Sequence, residues 1–402
     1  MLQAVTTTPL QVLVVLALVW FSARRLLFLA AALAPPRDVP ARGRALPSVT
    51  LAVPAHNEEH NAFALVGALT QLDYPPDRLS IVFVCDGCTD GTSTVFGRFA
   101  RRRKEVHVIE LPERVGKAQA LNAALALATG DLFVVLDADL IPRPDFLRRL
   151  LSAFDDHRVG AAAGMVQPAN GASSLVSGYS ATNSWVHQQI TSAAKDRLDL
   201  DPPTLGASAY RRMALLDVGG FRPGSMNEDL DAGLALAEAG WRTRFVSTAV
   251  ADNVVADRLS EYWHQHIRWA RGALGTPTRL RRHSRKGSVL RRLETWTAAL
   301  DYADRFAFVG SLVLAGFGKL PFWVPAAYFA VPAAAVLVAY IKAGVGRGMP
   351  RYVIALAVMF PVDVAGSAVA LLLNVARRPR RWHRTTRTLG APASAPTSAR
   401  DA

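Results

Sequence analysis

The chain has 402 residues, of which 51% are hydrophobic and 19% are charged, and it carries a formal net charge of +14. This length is too great for one small core and allows two domains, or one domain with a membrane part. The basic residues flank apolar runs and form no basic-aromatic binding motif, so we expect no nucleic-acid partner and instead expect contact with anionic membrane lipid. Only two cysteines are present, so the fold should not depend on disulfides.

The chain begins with a predicted transmembrane anchor, residues 1–34, which contains a long and almost wholly apolar run. Residues 1–20 hold no Lys or Arg, whereas a cleaved signal peptide carries positive charge before its apolar stretch. The positive charges start at Arg24 and Arg25, so the positive-inside rule puts the following domain in the cytoplasm. Residues 35–47 are rich in Pro and Arg and are predicted to form a linker.

A regular alternation of strands and helices follows this linker. We predict strands at 48–55, 79–85, 106–111 and 131–137, and helices at 57–71, 92–104, 116–128 and 144–154. The strands are uniformly apolar, as expected when helices cover both faces of a sheet. Alternation at this spacing predicts an α/β fold with parallel strands and right-handed crossovers.

Acids and an amide stand at the predicted carboxyl ends of three strands, where open parallel sheets bind their ligands. They are Asn57 with Glu58, Asp86, and Asp137 with Asp139. Acids at such turns also cap helices, and this alternative explains one of them. It does not explain Asp137 and Asp139 together, because two carboxylates so close repel each other unless a cation or hydrogen-bond donors neutralise them. Paired oxygen ligands suit Mg²⁺ or Mn²⁺, so these two acids predict a metal site.

The C-terminal part of the chain is expected to lie at and in the membrane. We assign residues 258–304 to interfacial helices, 305–376 to a membrane region, and 377–402 to a basic, partly disordered tail. Within the membrane region, 321–340 and 352–376 are long enough to span a bilayer, whereas 305–317 is either re-entrant or a short third span. We favour two spans, because an even number returns the basic tail to the cytoplasm.

Six segments, in this order, resemble the family 2 glycosyltransferases with a GT-A fold: VPAHNEE, VCDGCTDGT, GKAQALNAAL, LDADLIPRPDFL, NEDLDAGLALAEAGWRTRFV and HQHIRWARG. More narrowly, they are similar to the membrane-embedded branch with cellulose, chitin-oligosaccharide, hyaluronan and poly-N-acetylglucosamine synthases and ceramide glucosyltransferase-like enzymes. The resemblance covers about residues 48–275. It implies a GT-A (Rossmann-like), mostly parallel sheet with helices on both faces, plus transmembrane and interfacial helices.

The resemblance also implies roles for individual residues. Asp229, beside Glu228, is implied to be the catalytic base, and Asp139, with help from Asp137, is implied to hold the metal and the diphosphate. The other residues implied to bind the donor are Pro54, Asn57, Glu58, Asp86, Lys117, Gln265 and Arg268. Trp269 is implied to contact the acceptor sugar.

Some of these residues have structural alternatives. Glu228 and Asp229 lie in the first turn of a predicted amphipathic helix, where acids favour the helix dipole. Gln265, Arg268 and Trp269 share one helix face, which also suits an interfacial helix with its Trp at the headgroup level. For Gln265, Arg268 and Trp269 the two roles can hold together, whereas for Glu228 and Asp229 the periodicity alone favours the helix-dipole role and the resemblance, through the preceding GASAYRRMALLDVGGF, favours catalysis.

Two cysteines depart from the family pattern Asp-Asp-Gly-Ser-x-Asp. Cys85 stands for the first Asp and Cys88 for the Ser. A zinc site needs four ligands and no second Cys pair exists, whereas a redox pair stays open as an alternative. Cys85 closes a buried strand and is best explained as a small hydrophobic residue.

A diphosphate leaving group is stabilised by a metal acting as a Lewis acid, which fits the paired acids. The resemblance therefore implies an inverting, Mg²⁺- or Mn²⁺-dependent transfer of a hexose or N-acetylhexosamine from a UDP-sugar to a growing polysaccharide or a membrane-associated acceptor. It implies a multi-pass protein of the cell membrane with a cytoplasmic catalytic domain at 48–257. The alternatives are a non-processive enzyme that adds one sugar to a lipid, and an inactive membrane scaffold.

Overall fold

The computed structural model describes residues 8–35, 37, 46–225, 227–274, 288–300 and 302–376. Most of the predicted linker, the basic segment 275–287 and the predicted tail 377–402 lie outside the described residues.

The strands of the described residues form one sheet. In chain order they are β1 (Val49–Ala55), β2 (Leu79–Asp86), β3 (Val106–Leu111), β4 (Leu132–Leu136), β5 (Leu140–Pro142), β6 (Val159–Pro168), β7 (Ala207–Arg211) and β8 (Arg242–Asn253). Their order across the sheet is β3-β2-β1-β4-β7-β6-β8-β5. The pairs β3-β2, β2-β1, β1-β4 and β6-β8 are parallel, and the other pairs are antiparallel.

The helices surround this sheet and extend from it. They are α1 (Pro9–Leu33), α2 (Glu59–Leu69), α3 (Thr92–Ala100), α4 (Lys117–Leu127), α5 (Phe146–Leu151), α6 (Leu175–Trp185), α7 (Ala193–Arg197), α8 (Arg212–Asp217), α9 (Glu228–Glu238), α10 (Leu259–Leu274), α11 (Val289–Ala299), α12 (Ala303–Gly316), α13 (Trp323–Ala343) and α14 (Met349–Val375). A π-helix, Val186–Ser192, joins α6 to α7.

The first half of the sheet agrees with the sequence-based prediction. Each of the four predicted strands is present within one residue of its predicted ends. Alternate residues of these strands enter two cores, as Leu51 and Phe83 do on one face and Ala52 and Phe133 on the other. Helices α2, α3 and α5 cover the first face, and α4, α8 and α9 cover the second. The predicted α/β class, with a mostly parallel sheet and helices on both faces, is confirmed.

The second half of the sheet was not predicted. It is rich in small residues, and β6 begins with the sequence VGAAAG. Gly164 shows why, because a Cβ at this position would lie 2.8 Å from the Ala249 carbonyl and 2.8 Å from the Phe146 ring. The close approach of β6 and β8 therefore requires residues that carry little side chain.

Three helices of the described residues are long and apolar enough to cross a membrane: α1, α13 and α14. Helix α12 has 14 residues and is shorter than a bilayer requires. Helix α1 packs on α12 and α13, whereas α14 packs on α6 and α10. The helix set therefore has one N-terminal and two C-terminal candidates for spanning, as the sequence predicted.

An ion-pair cluster joins α1 to the rest of the chain. Arg24 Nε lies 2.7 Å from Glu294 Oε2, and Lys195 Nζ lies 3.0 Å from Glu294 Oε1. Glu294 is buried in α11, and Lys195 belongs to α7. Burial of a charge is costly unless it is paired, so this cluster fixes α1 and α11 against the domain that carries α7.

Candidate active site

A cleft of about 1620 Å³ opens at the carboxyl ends of β1, β2 and β4 and continues between the apolar helices. All but one of the predicted site residues line it: Pro54, Glu58, Asp86, Lys117, Asp137, Asp139, Glu228, Asp229, Gln265, Arg268 and Trp269. The exception is Asn57, whose Oδ1 accepts a hydrogen bond from Thr89 N at 2.7 Å. Asn57 therefore ties the β1 loop to the β2 loop and lies outside the lining of the cleft.

Asp86 ends β2 with a buried carboxylate. Its Oδ1 accepts a hydrogen bond from Val115 N at 2.7 Å, and its Oδ2 accepts one from Gly116 N at 2.9 Å. The φ of 94° at Gly116 is one that glycine adopts readily. Asp86 thus fixes the loop before α4, and each oxygen keeps a second lone pair for a ligand.

Lys117, the first residue of α4, joins the two acidic sides of the cleft. Its Nζ lies 2.7 Å from Asp137 Oδ1, at the end of β4, and 2.6 Å from Glu228 Oε1, at the start of α9. Burial lowers the pKa of Lys117, but the charges of Asp137, Glu228 and Asp229 outweigh it and hold that pKa well above its usual value. The lysine is therefore a permanent cation at this point.

The carboxyls around Lys117 repel one another. Burial raises the pKa of Asp137 to about 6, with Asp139 and Glu228 adding to the shift and Lys117 opposing it. Burial also raises the pKa of Asp229 to about 7, with Glu228 and Asp137 adding and Lys117 opposing. Three carboxyls thus share Lys117, and Asp139 adds a fourth beside Asp137, so the cleft has capacity for a further cation.

Asp229 accepts one hydrogen bond through its side chain and one through its backbone carbonyl. The Leu230 N–H donates to Asp229 Oδ1 at 2.7 Å, and the Thr204 hydroxyl donates to the Asp229 carbonyl. No residue that the structure describes donates a hydrogen bond to Asp229 Oδ2. A carboxyl with a pKa near neutrality and one free oxygen has the properties of a general base.

Asp137 and Asp139 fit a divalent cation that also binds phosphate. The Asp139 carboxylate forms no hydrogen bond or ion pair within the described residues, although it lines the cleft. Gly206 makes room for Asp137, because a Cβ at Gly206 would lie 2.2 Å from Asp137 Oδ2. The described part of the chain contains no group of three or more His, Cys, Asp or Glu residues that could hold a metal alone. Two carboxylates match Mg²⁺, which usually takes its other ligands from phosphate and water.

Helix α10 covers one side of the cleft. Gln265 is buried there, Arg268 is half-buried, and Trp269 is 42% exposed. The Trp269 ring centroid lies 5.1 Å from that of His266, which stacks on Tyr262 at 3.8 Å. Because α10 also packs along α14, one helix both lines the cleft and contacts the apolar helices.

The sequence did not reveal the wall formed by α6 and the π-helix. Asn183, His187 and Gln188 line the cleft on this wall. Gln188 attaches it to the sheet, since its Oε1 accepts from Val166 N at 2.6 Å and its Nε2 donates to Val166 O at 2.7 Å. The i, i+4 spacing of Asn183 and His187 was an available signal, but π-helices have no sequence pattern of comparable strength.

Both cysteines are free thiols, with Cys85 buried at the end of β2 and Cys88 half-buried in the loop that follows it. A hydrogen bond from Cys85 is the largest cause that lowers the pKa of Cys88 to about 7, and the Asn57 N–H adds to it while burial opposes it. The Cys88 Sγ also donates to the Ala55 carbonyl at 3.4 Å. Cys88 thus links the β1 and β2 loops, as a Ser hydroxyl would.

With this geometry established, similarity to known proteins identifies the family. Residues 47–272 match the family described as Glycosyltransferase like family 2. The match covers more than half of the chain, and the chain belongs to this family.

Three curated proteins illustrate the similarity. The N-acetylglucosaminyltransferase of Rhizobium meliloti (strain 1021) is 32% identical over 243 residues, which are 58% of this chain and 57% of the relative. The probable glycosyltransferase YdaM of Bacillus subtilis (strain 168) is 29% identical over 232 residues, 56% of this chain and 55% of the relative. Putative cellulose synthase 2 of Komagataeibacter xylinus is 28% identical over 251 residues, 57% of this chain and 15% of the relative. The chain thus spans about half the length of the first two relatives.

A solved structure matches nearly the whole fold. Mannosyltransferase PcManGT from Pyrobaculum calidifontis, in complex with GDP-Man and Mn²⁺, has a TM-score of 0.60 and 26% identity to this chain. The match covers 88% of this chain and 97% of that one. Together with the sheet order, this similarity confirms the predicted GT-A fold class with its added apolar helices.

Proposed function

We propose that the protein is an inverting, divalent-metal-dependent glycosyltransferase that passes a hexose or N-acetylhexosamine from a nucleoside-diphosphate sugar to a growing polysaccharide or a membrane-associated acceptor. The observation that carries this proposal is the meeting of Asp137, Asp139, Glu228 and Asp229 around Lys117 in one cleft. These acids come from distant parts of the chain, and a structural ion pair with Lys117 would need only one of them.

Asp229 is the base in this proposal. The acceptor hydroxyl gives its proton to Asp229 Oδ2 and attacks the anomeric carbon, while the bond from that carbon to the diphosphate breaks on the opposite side. A single displacement of this kind inverts the configuration at the anomeric carbon. The raised pKa of Asp229, about 7, matches a base that works near neutral pH.

The donor lies across Asp86, Lys117 and the paired acids. Asp86 orients the nucleobase, and Lys117 and Arg268 attract the diphosphate. When bound, a Mg²⁺ or Mn²⁺ ion held by Asp137 and Asp139 supplies Lewis-acid stabilisation of the leaving diphosphate. The solved mannosyltransferase, which contains GDP-Man and Mn²⁺, supports both a nucleotide sugar and a metal.

The expected donor nucleotide is UDP, although this choice rests on the resemblance alone. Relatives named N-acetylglucosaminyltransferase favour an N-acetylhexosamine, whereas the solved mannosyltransferase contains GDP-Man. A binding screen against UDP- and GDP-sugars separates these donors.

Membrane location is part of the same proposal. Residues 48–257 form the cytoplasmic catalytic domain, 1–34 its anchor, and 258–376 the interfacial and membrane region. The three helices that could span a bilayer support this multi-pass arrangement, and the basic residues near them support contact with anionic lipid.

The test is donor turnover by the full-length protein in lipid vesicles, with Mn²⁺ or with a chelator. We expect Asp229→Asn to lower turnover by about 10³-fold, because general bases contribute about 10² to 10⁴-fold. Asp145→Asn, which changes an exposed acid outside the cleft, is the matched control and should behave as wild type. Equal activity of both variants would remove Asp229 from the mechanism. A wild-type protein that turns over none of the UDP- and GDP-sugars favours the inactive scaffold instead.

A further inference from the structure

The cleft has a second end, away from the acids. It extends between two groups of helices, one formed by α1, α12 and α13 and the other by α14 with α6 and α10. The two groups meet where the Tyr340 and Tyr352 rings lie 5.6 Å apart and where those of Phe308 and Phe360 lie 5.9 Å apart. Between these contacts, α13 and α14 form the walls of the cleft.

The lining of this second end is apolar. It includes Phe329, Val336, Leu337, Val353, Leu356 and Phe360. Phe329 is 59% exposed, Leu337 47% and Val353 51%. These three residues both line the cleft and are exposed on helices that could span a bilayer, so a bilayer around α13 and α14 would bring lipid chains to this end of the cleft.

This lining distinguishes between the two classes of acceptor. A sugar chain carries a hydroxyl on almost every carbon, and each one buried without a partner costs roughly 2 kcal/mol or more. A hydrocarbon chain has no such groups and moves from the bilayer into an apolar cleft at little cost. The second end therefore favours a lipid chain over a polysaccharide.

Two ion pairs complete the lining. Arg25 pairs with Asp304, and Arg305 Nε lies 2.6 Å from Asp363 Oδ2. All four residues line the cleft, and their charges sum to zero. These two ion pairs thus provide polar contacts for a head group and add no net charge to the lining.

We propose that the acceptor is a membrane lipid with a hydroxyl-bearing head group, whose hydrocarbon chain lies between α13 and α14 while its hydroxyl reaches Asp229. This inference rests on the proposed function. In the transfer, the lipid oxygen bonds to the anomeric carbon and its proton passes to Asp229. The bond between the anomeric carbon and the diphosphate breaks, and the diphosphate leaves with the electron pair.

The experiment measures which molecule receives the transferred sugar. The full-length protein, in vesicles of a total bacterial lipid extract, is given UDP-N-acetylglucosamine or GDP-mannose with a radiolabelled sugar. The products are then separated into an organic phase and an aqueous phase, and the released nucleoside diphosphate is measured. We expect the label in the organic phase.

Phosphatidylcholine vesicles, which offer no hydroxyl, are the blank. Added diacylglycerol or phosphatidylglycerol distinguishes a neutral head group from an anionic one.

Bulky substitutions locate the lipid chain. Ala333 on α13 and Ala357 on α14 line the cleft, whereas Ala330, also exposed on α13, does not. We expect Ala333→Trp and Ala357→Trp each to lower organic-phase label by about tenfold or more, because a displaced acceptor reacts poorly. Ala330→Trp should match wild type, and donor affinity measured by calorimetry checks that every variant is folded.

Each outcome has a separate meaning. Label that appears as water-soluble polymer or free sugar, with nothing in the organic phase, overturns the lipid acceptor and leaves the glycosyltransferase proposal standing. Equal losses in Ala333→Trp and Ala330→Trp overturn the location of the lipid between α13 and α14. Absence of nucleoside diphosphate release from either donor contradicts the proposed function itself.

Discussion

Asp86 and Asp229 line the same cleft but are held in opposite ways. Both oxygens of Asp86 accept backbone N–H groups, whereas only Oδ1 of Asp229 accepts one. The first arrangement immobilises a carboxylate and shapes a loop around it. The second leaves an oxygen open in a buried position, where burial first and the charges of Glu228 and Asp137 next raise the pKa of Asp229 to about 7. This difference fits our proposal that Asp86 binds the donor and that Asp229 exchanges a proton.

We expect the strongest effect on the pH dependence of catalysis, which tests the proposed role of Asp229 as the base. The base works only when it is ionised, so kcat/KM should fall about tenfold per pH unit below about pH 7. A pH–rate profile of the wild-type protein measures this limb, with Asp145→Asn as a control that should give the same profile. A flat profile through this region would show that Asp229 does not act as the base.

The substitution Asp86→Asn tests the proposed role of Asp86 in donor binding. In Asn, one of the two atoms that face Val115 N and Gly116 N is an NH2 group, which cannot accept, so one N–H loses its partner and the loop before α4 shifts. We expect the donor KM to rise about tenfold, equivalent to about 1.4 kcal/mol, with a smaller change in kcat. Asp77→Asn, an exposed acid at the opposite end of β2, is the control. A variant whose donor KM equals that of the wild type would remove Asp86 from the donor site.

The last prediction concerns stability rather than catalysis. The pKa of Asp229 is raised from 3.8 to about 7 on folding, so its ionised form destabilises the folded protein increasingly through that interval. Asp229→Asn should therefore unfold at a higher Tm than wild type above pH 7. The difference should shrink as the pH falls and vanish below 3.8. Thermal unfolding across this range measures it, and a constant difference at all pH values would contradict the shift.

The sequence predicted the part of the fold where pattern and burial agree. The strands β1, β2 and β4 are largely buried apolar runs because helices cover both of their faces; Asp86 ends β2, and Asp137 directly follows β4. The small residues of β6, such as Gly164, are explained only by the approach of β8, which lies far along the chain. Contacts of this kind leave no periodic signal.

The sequence also predicted the site only in part. The order of the motifs predicted that Asp137, Asp139 and Asp229 lie in one cleft, and all three line the cleft of the structure. Motif order also assigned Asn57 to the donor, yet its side chain bonds to Thr89, a contact between two loops that spacing does not encode. The wall of the π-helix was missed for the same reason, because its position depends on tertiary packing.

Helix α1 forms part of the cleft in addition to its proposed role as a membrane anchor. Arg24, Arg25 and Phe28 belong to the lining of the cleft, and Arg24 shares the buried Glu294 with Lys195. A truncated protein that begins after residue 34 would lose the side of the cleft that α1 forms. Glu294 would also keep only Lys195 of the two cations that pair with it. Exchange of this helix for an unrelated membrane anchor would restore attachment to the bilayer but not the missing wall, so solubilisation by deletion is the wrong route to an active enzyme.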